Sequence, residues 1–180
     1  MRNFNLNLVQ TIQEWPNYSC KVVYTEETKA EIIDKVYDAV TELFAFFLTP
    51  EAHAPDMANK LRDQGIMFDP LPFNPATENE MKKFRATMMY AMNFEIEQCK
   101  YSKDFSLTTD YHPEGILARV LRIINYKSAQ TCPGNPIFPY KTNVWVQIKP
   151  EYLELSLHFN HEDYFSRHYK NDGVINALSS

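Results

Sequence analysis

Residues 143–159 read Asn-Val-Trp-Val-Gln-Ile-Lys-Pro-Glu-Tyr-Leu-Glu-Leu-Ser-Leu-His-Phe. Val144, Val146 and Ile148 alternate, Lys149-Pro150-Glu151-Tyr152 supplies a turn, and Leu153, Leu155, Leu157 and Phe159 alternate again. Successive side chains of a strand point to opposite faces, so each run has one apolar face. If residues 149 and 152 pair across the turn, Val146 falls opposite Leu155 and Ile148 opposite Leu153, and both apolar sets lie on one side. The other side then brings Asn143 to His158, Trp145 to Ser156 and Gln147 to Glu154. The stretch predicts an antiparallel hairpin over about 140–159 with one face that needs a cover.

Helical periodicity elsewhere supplies that cover. Ile32, Ile33, Val36, Val40, Leu43, Phe44 and Phe47 recur at helical spacing, with Thr28 and Glu31 at the separation of a capping box and Thr49-Pro50 as the stop, which predicts a helix over about 28–48. Thr77 and Glu80 repeat the box ahead of Met81, Phe84, Met88, Met92 and Ile96, predicting a second helix over 78–98. Ile116, Leu117, Val120, Leu121 and Ile124 predict a third over about 113–127, with Arg119 and Arg122 on its exposed side. Shorter helices are expected from Pro55 to Gln64, closed by Gly65, and from Glu162 to Tyr169.

Near the start, Phe4, Leu6 and Leu8 alternate with asparagines, and Tyr18 to Tyr24 is rich in strand-forming residues after Pro16-Asn17, so a second hairpin is predicted over about 4–24. The expected fold is one α+β domain over 1–180: two antiparallel hairpins in a sheet covered on one side by three main helices.

The 180 residues include 44% hydrophobic and 14% aromatic types, enough for a sizeable core. No apolar run approaches the ~20 residues that span a bilayer, and the first residues lack the continuous apolar run of a signal peptide. The expectation is a soluble, cytoplasmic protein. Cys20, Cys99 and Cys132 are far apart and form no Cys-x-x-Cys pair, so they are read as reduced thiols rather than disulfides or zinc ligands. Only four glycines occur, at 65, 115, 134 and 173, too scattered for any phosphate-cradling or dinucleotide-binding loop. No cofactor or metal is called for.

The net charge of -5 disfavours a general nucleic-acid binder, which needs concentrated Lys and Arg. The charge is uneven. Between Glu14 and Asp56 nine acids face three lysines, whereas the stretch 100–149 carries seven basic residues and three acids. That local basic stretch leaves nucleic acid as a secondary partner class, behind protein.

Two chemistries compete at the polar residues. His158, His161, Glu162, Asp163 and His168 are dense, yet His158 and His161 are three apart at a strand end, where odd spacing separates side chains. The plainer reading is a polar strand end that caps the next helix. His158, His161 and His112 with Arg119 and Arg122 supply the residue types for acid-base cleavage of a phosphodiester or similar substrate, which makes a small hydrolase the alternative function. The leading expectation is a non-enzymatic protein-binding module: an inhibitor, adaptor or assembly subunit of the kind viruses and phages encode. Its contact residues are the acids of the first main helix, Glu31, Asp34, Asp38 and Glu42, with Phe68 and Phe73 of a proline-rich loop and Trp145, Tyr152 and Tyr164. A structural homo-oligomer subunit is the third reading.

Overall fold

A computed structural model describes residues 6–14, 17–63, 75–110, 112–126, 138, 141–159 and 172–176. In chain order the elements are α1 (Leu8–Glu14), β1 (Asn17–Val23), α2 (Lys29–Phe46), a 3-10 turn (Pro50–His53), α3 (Pro55–Asp63), α4 (Glu78–Gln98), β2 (Asp104–Asp110), β3 (His112–Pro113), α5 (Gly115–Ile123), β4 (Lys141–Ile148), β5 (Tyr152–Phe159) and β6 (Asp172–Asn176). Among the described residues six strands form one sheet in the order β3-β2-β4-β5-β1-β6, antiparallel except where β6 joins β1. The fold is α+β.

The β4–β5 hairpin has the register its alternation dictates: Asn143 faces His158, Trp145 faces Ser156, Val146 faces Leu155 and Ile148 faces Leu153. Its turn is closed by Lys149 N–H on Tyr152 O at 2.8 Å. Tyr24, just after β1, pins the same turn: its N–H donates to Glu151 O at 3.1 Å, and its hydroxyl meets the carbonyls of Lys149 and Tyr152. Burial, and then the neighbouring Glu26 charge, push the Tyr24 phenol up to about 12, so it stays a donor at neutral pH.

Phe105, Leu107, Val144, Val146, Leu153, Leu155, Leu157, Cys20 and Val22 form the apolar face of the sheet and are all buried. They belong to one continuous core with Val36, Val40, Leu43 and Phe44 of α2, Phe84, Met88 and Met92 of α4, and Ile116, Leu117, Val120 and Leu121 of α5. Tyr37 of α2 meets Phe105 of β2 edge-on at 5.6 Å, and Phe44, Phe47 and Phe138 pack edge-on at 5.7–6.2 Å. Edge-to-face rings add about 0.5–1.5 kcal/mol each beyond area burial.

Several expectations change. The hairpin over 4–24 is not formed, because Leu8–Glu14 is helical and β1 pairs with β5 and β6 instead. Asn7 decides this: its side-chain oxygen accepts from Gln10 N–H at 3.0 Å, a helix cap that lets Leu8 and Ile12, one turn apart, both reach the core. Thr28 does not cap α2; its hydroxyl accepts from Thr25 N–H at 3.0 Å, so the expected box is absent there. At Thr77 both arms of the box are made.

The helix expected over 113–127 is shorter, Gly115–Ile123, because Asn125 takes a left-handed conformation (φ 59°). Asn125 N–H then bonds Arg122 O and Tyr126 N–H bonds Leu121 O, the paired bonds that close a helix C-terminus. Strands β2, β3 and β6 extend the sheet beyond the two predicted hairpins.

Candidate functional site

The acidic stripe of α2 is exposed, but half of it is engaged. Glu31 accepts from Lys35 at 2.6 Å one turn on, and Glu42 takes both arms of the Arg85 guanidinium of α4, at 2.5 and 2.9 Å. The Glu42 hydrogen bonds raise the Arg85 pKa above its ordinary value. Both side chains are near half exposed, where such a pair contributes about 0–1 kcal/mol. Its effect is geometric: it ties α2 to α4 across the outer surface of the helical layer. Asp34 and Asp38 remain exposed and make no ion pair among the described residues.

Two grooves flank that tie. One, of about 480 Å³, lies between α1 and α2 and includes Leu6, Val9, Asp38 and Glu42. The other, of about 560 Å³, runs along the N-terminal half of α4 beside Met81, Lys82, Arg85 and Ala86.

Further along α4 lies the main exposed apolar feature among the described residues. Tyr90 and Phe94 are 70% and 43% exposed and stack on each other with centroids 6.2 Å apart. Met81, Phe84, Met88 and Met92 of the same helix are buried, so the rings stand on the face turned away from the core. Stacking one turn apart contributes about 0.2–0.5 kcal/mol, far below the roughly 1.5–3 kcal/mol per ring that covering them would contribute. Tyr101, fully exposed, and Ile123, 68% exposed, add apolar surface after α4 and at the end of α5.

The second face of the sheet holds the polar candidates. His158 is only 6% exposed in β5, beside Asn143 of β4, whose amide donates to Thr108 Oγ1 of β2 at 3.0 Å. Trp145 and Tyr152 are half-buried there, with Lys21 Nζ 3.6 Å above the Tyr152 ring. His112 lies in β3, three strands from His158, roughly 14 Å at the usual strand spacing. Arg119 and Arg122 are on α5 in the helical layer, and Arg119 holds Glu95 of α4 at 2.6 Å. The structure therefore does not bring His158, His112 and the two arginines together. His161, Phe68, Phe73 and Tyr164, with the predicted helix 162–169 and Cys132, lie outside the described residues.

Burial pushes the Cys20 thiol up to about 11, so it packs as a small apolar group. Among the described residues no cluster of His, Cys, Asp or Glu has the arrangement of a metal site, and no helix is long and apolar enough to cross a membrane. No protein family, curated protein or solved structure matches the chain.

Sequence reasoning found the core stripe of α4 and passed over its opposite side. The signal was present: Tyr90 and Phe94 are one turn apart and off the Met81–Phe84–Met88–Met92 stripe.

Proposed function

We propose that the chain is a protein-binding module that engages its partner through the outer surface of the helical layer, with Tyr90 and Phe94 as anchors. The observation that carries this is the stacked, exposed aromatic pair on a helix whose other face is fully used by the core. Large rings held in place by a rigid helix lose little entropy on binding, which is why aromatic residues concentrate binding energy at interfaces. Asp34 and Asp38 of α2 add negative charge to the same layer and favour a partner with a basic rim. The catalytic alternative has less support, since His158 is buried and Arg119 is paired with Glu95.

Affinity capture with the tagged full chain, compared with a Tyr90→Ser/Phe94→Ser variant of unchanged circular dichroism, tests the reading. A stoichiometric protein captured by the wild type should fall at least tenfold in yield with the variant, and should weaken with added salt. Equal recovery by both chains would remove α4 as the binding surface.

A further inference from the structure

The exposed stripe of α4 is complementary to itself. Lys83 and Glu97 lie seven residues before and after Tyr90, almost two full turns each way, so the three share one line along the helix, about 21 Å from end to end. Lys83, Tyr90 and Glu97 are all exposed, and neither charge has an ion-pair partner among the described residues. A line of basic, aromatic and acidic groups meets its own complement when a second copy is laid on it antiparallel.

We infer that the partner seated on this face is a second copy of the chain, in a two-fold dimer with α4 crossing α4 at Tyr90. This rests on the reading of α4 as the binding surface and names its occupant. A two-fold contact sets each residue against the one equally far on the other side of the axis. Lys83 then meets Glu97 of the second copy at both ends, whereas a parallel arrangement would oppose lysine to lysine and glutamate to glutamate.

The packing agrees with the charge. Phe94, four residues after Tyr90, falls opposite Ala86, four residues before it. Ala86 is exposed and borders the groove of about 560 Å³ beside Met81, Lys82 and Arg85. The protruding ring thus meets a small residue that leaves it room at that level of the helix. One helix pair buries less than the roughly 1,200 Å² of standard interfaces, so the dimer is of the weak, concentration-dependent class.

Sedimentation equilibrium of the full chain over roughly 1 µM to 1 mM reads this directly. The wild type should shift from monomer to dimer, less so in high salt. Phe94→Asp, Lys83→Glu and Glu97→Lys should each weaken dimerisation at least tenfold while keeping the wild-type circular dichroism. An equimolar mixture of the Lys83→Glu and Glu97→Lys chains should dimerise again, because each reversed charge then meets an opposite one; a general loss of stability would not be repaired by mixing. A wild type that stays monomeric throughout, or variants that dimerise as well as it does, would overturn the proposal. If the chain is monomeric yet still needs Tyr90 and Phe94 to capture another protein, self-association falls and the binding reading stands.

Discussion

His53 shows how one side chain carries a pH dependence. It ends the 3-10 turn after α2, where its Nε2 donates to Phe47 O at 2.9 Å. Burial holds its pKa below the ordinary 6.5, against a smaller opposing effect of that hydrogen bond. Well above pH 6.5 the ring is neutral in both folded and unfolded chains. As the pH falls through 6.5 the unfolded chain takes up a proton that the folded chain resists, so stability drops until the lower folded pKa is passed. A His53→Gln variant should lose less melting temperature than the wild type between about pH 7.5 and about pH 5.5. Parallel melting curves across that range would show that His53 is not a source of the acid sensitivity. Cys20 was readable at this scale, since thiols without nearby partners in sequence are usually buried. Thr28 was not, because Thr25 competes for its hydroxyl and nothing in the spacing reveals that.

At the scale of elements, the two threonines separate a true cap from an apparent one. Thr77 accepts from Glu80 N–H at 3.3 Å, and the Glu80 carboxylate returns to Thr77 N–H at 2.8 Å. Thr77→Ala should therefore cost about 1 kcal/mol in urea unfolding, the usual cost of a lost N-cap, whereas Thr28→Ala removes no cap from α2. Equal losses at the two sites would mean that the Thr25–Thr28 turn matters as much as the box. The hairpin β4–β5 was legible in full register, because alternation fixes which face each residue takes and the Lys149–Tyr152 turn fixes which residues meet across it. α1 was misread since Phe4, Leu6 and Leu8 mimic a strand, while the features that make the helix, the Asn7 cap and the Leu8–Ile12 spacing, begin where that pattern ends. β2 carries the same alternation in Phe105, Leu107 and Thr109, all buried, but only two of the three are apolar and their neighbours are acidic or hydroxyl residues, so the pattern is too short to mark a strand in sequence. The candidate site was least legible. Acidic residues on α2 stand out in sequence, but only the packed helix shows that Glu42 is committed to Arg85 and that Tyr90 and Phe94 are left outside.

Across the whole molecule, the sheet order ties distant parts of the chain together. β1, near the start, lies between β5 and β6, and β4 bridges β2 to β5. Neither the sheet nor the helical layer has a core of its own: Val22 of β1, Leu155 of β5, Phe44 of α2 and Met88 of α4 belong to the same buried cluster. Strand pairs so far apart in sequence repay their loop-closure entropy only when most of the sheet is in place, so partial structures gain little. The chain should accordingly unfold as one unit. Helix content by circular dichroism and Trp145 fluorescence, in a Trp15→Phe background, should follow a single shared melting curve. Val22→Ala, at a site with no exposed surface, should lower stability by about 2 kcal/mol and displace both curves together. If that substitution moved the Trp145 signal alone, the sheet would be unfolding independently of the helices, and the single-domain reading would give way to two coupled layers.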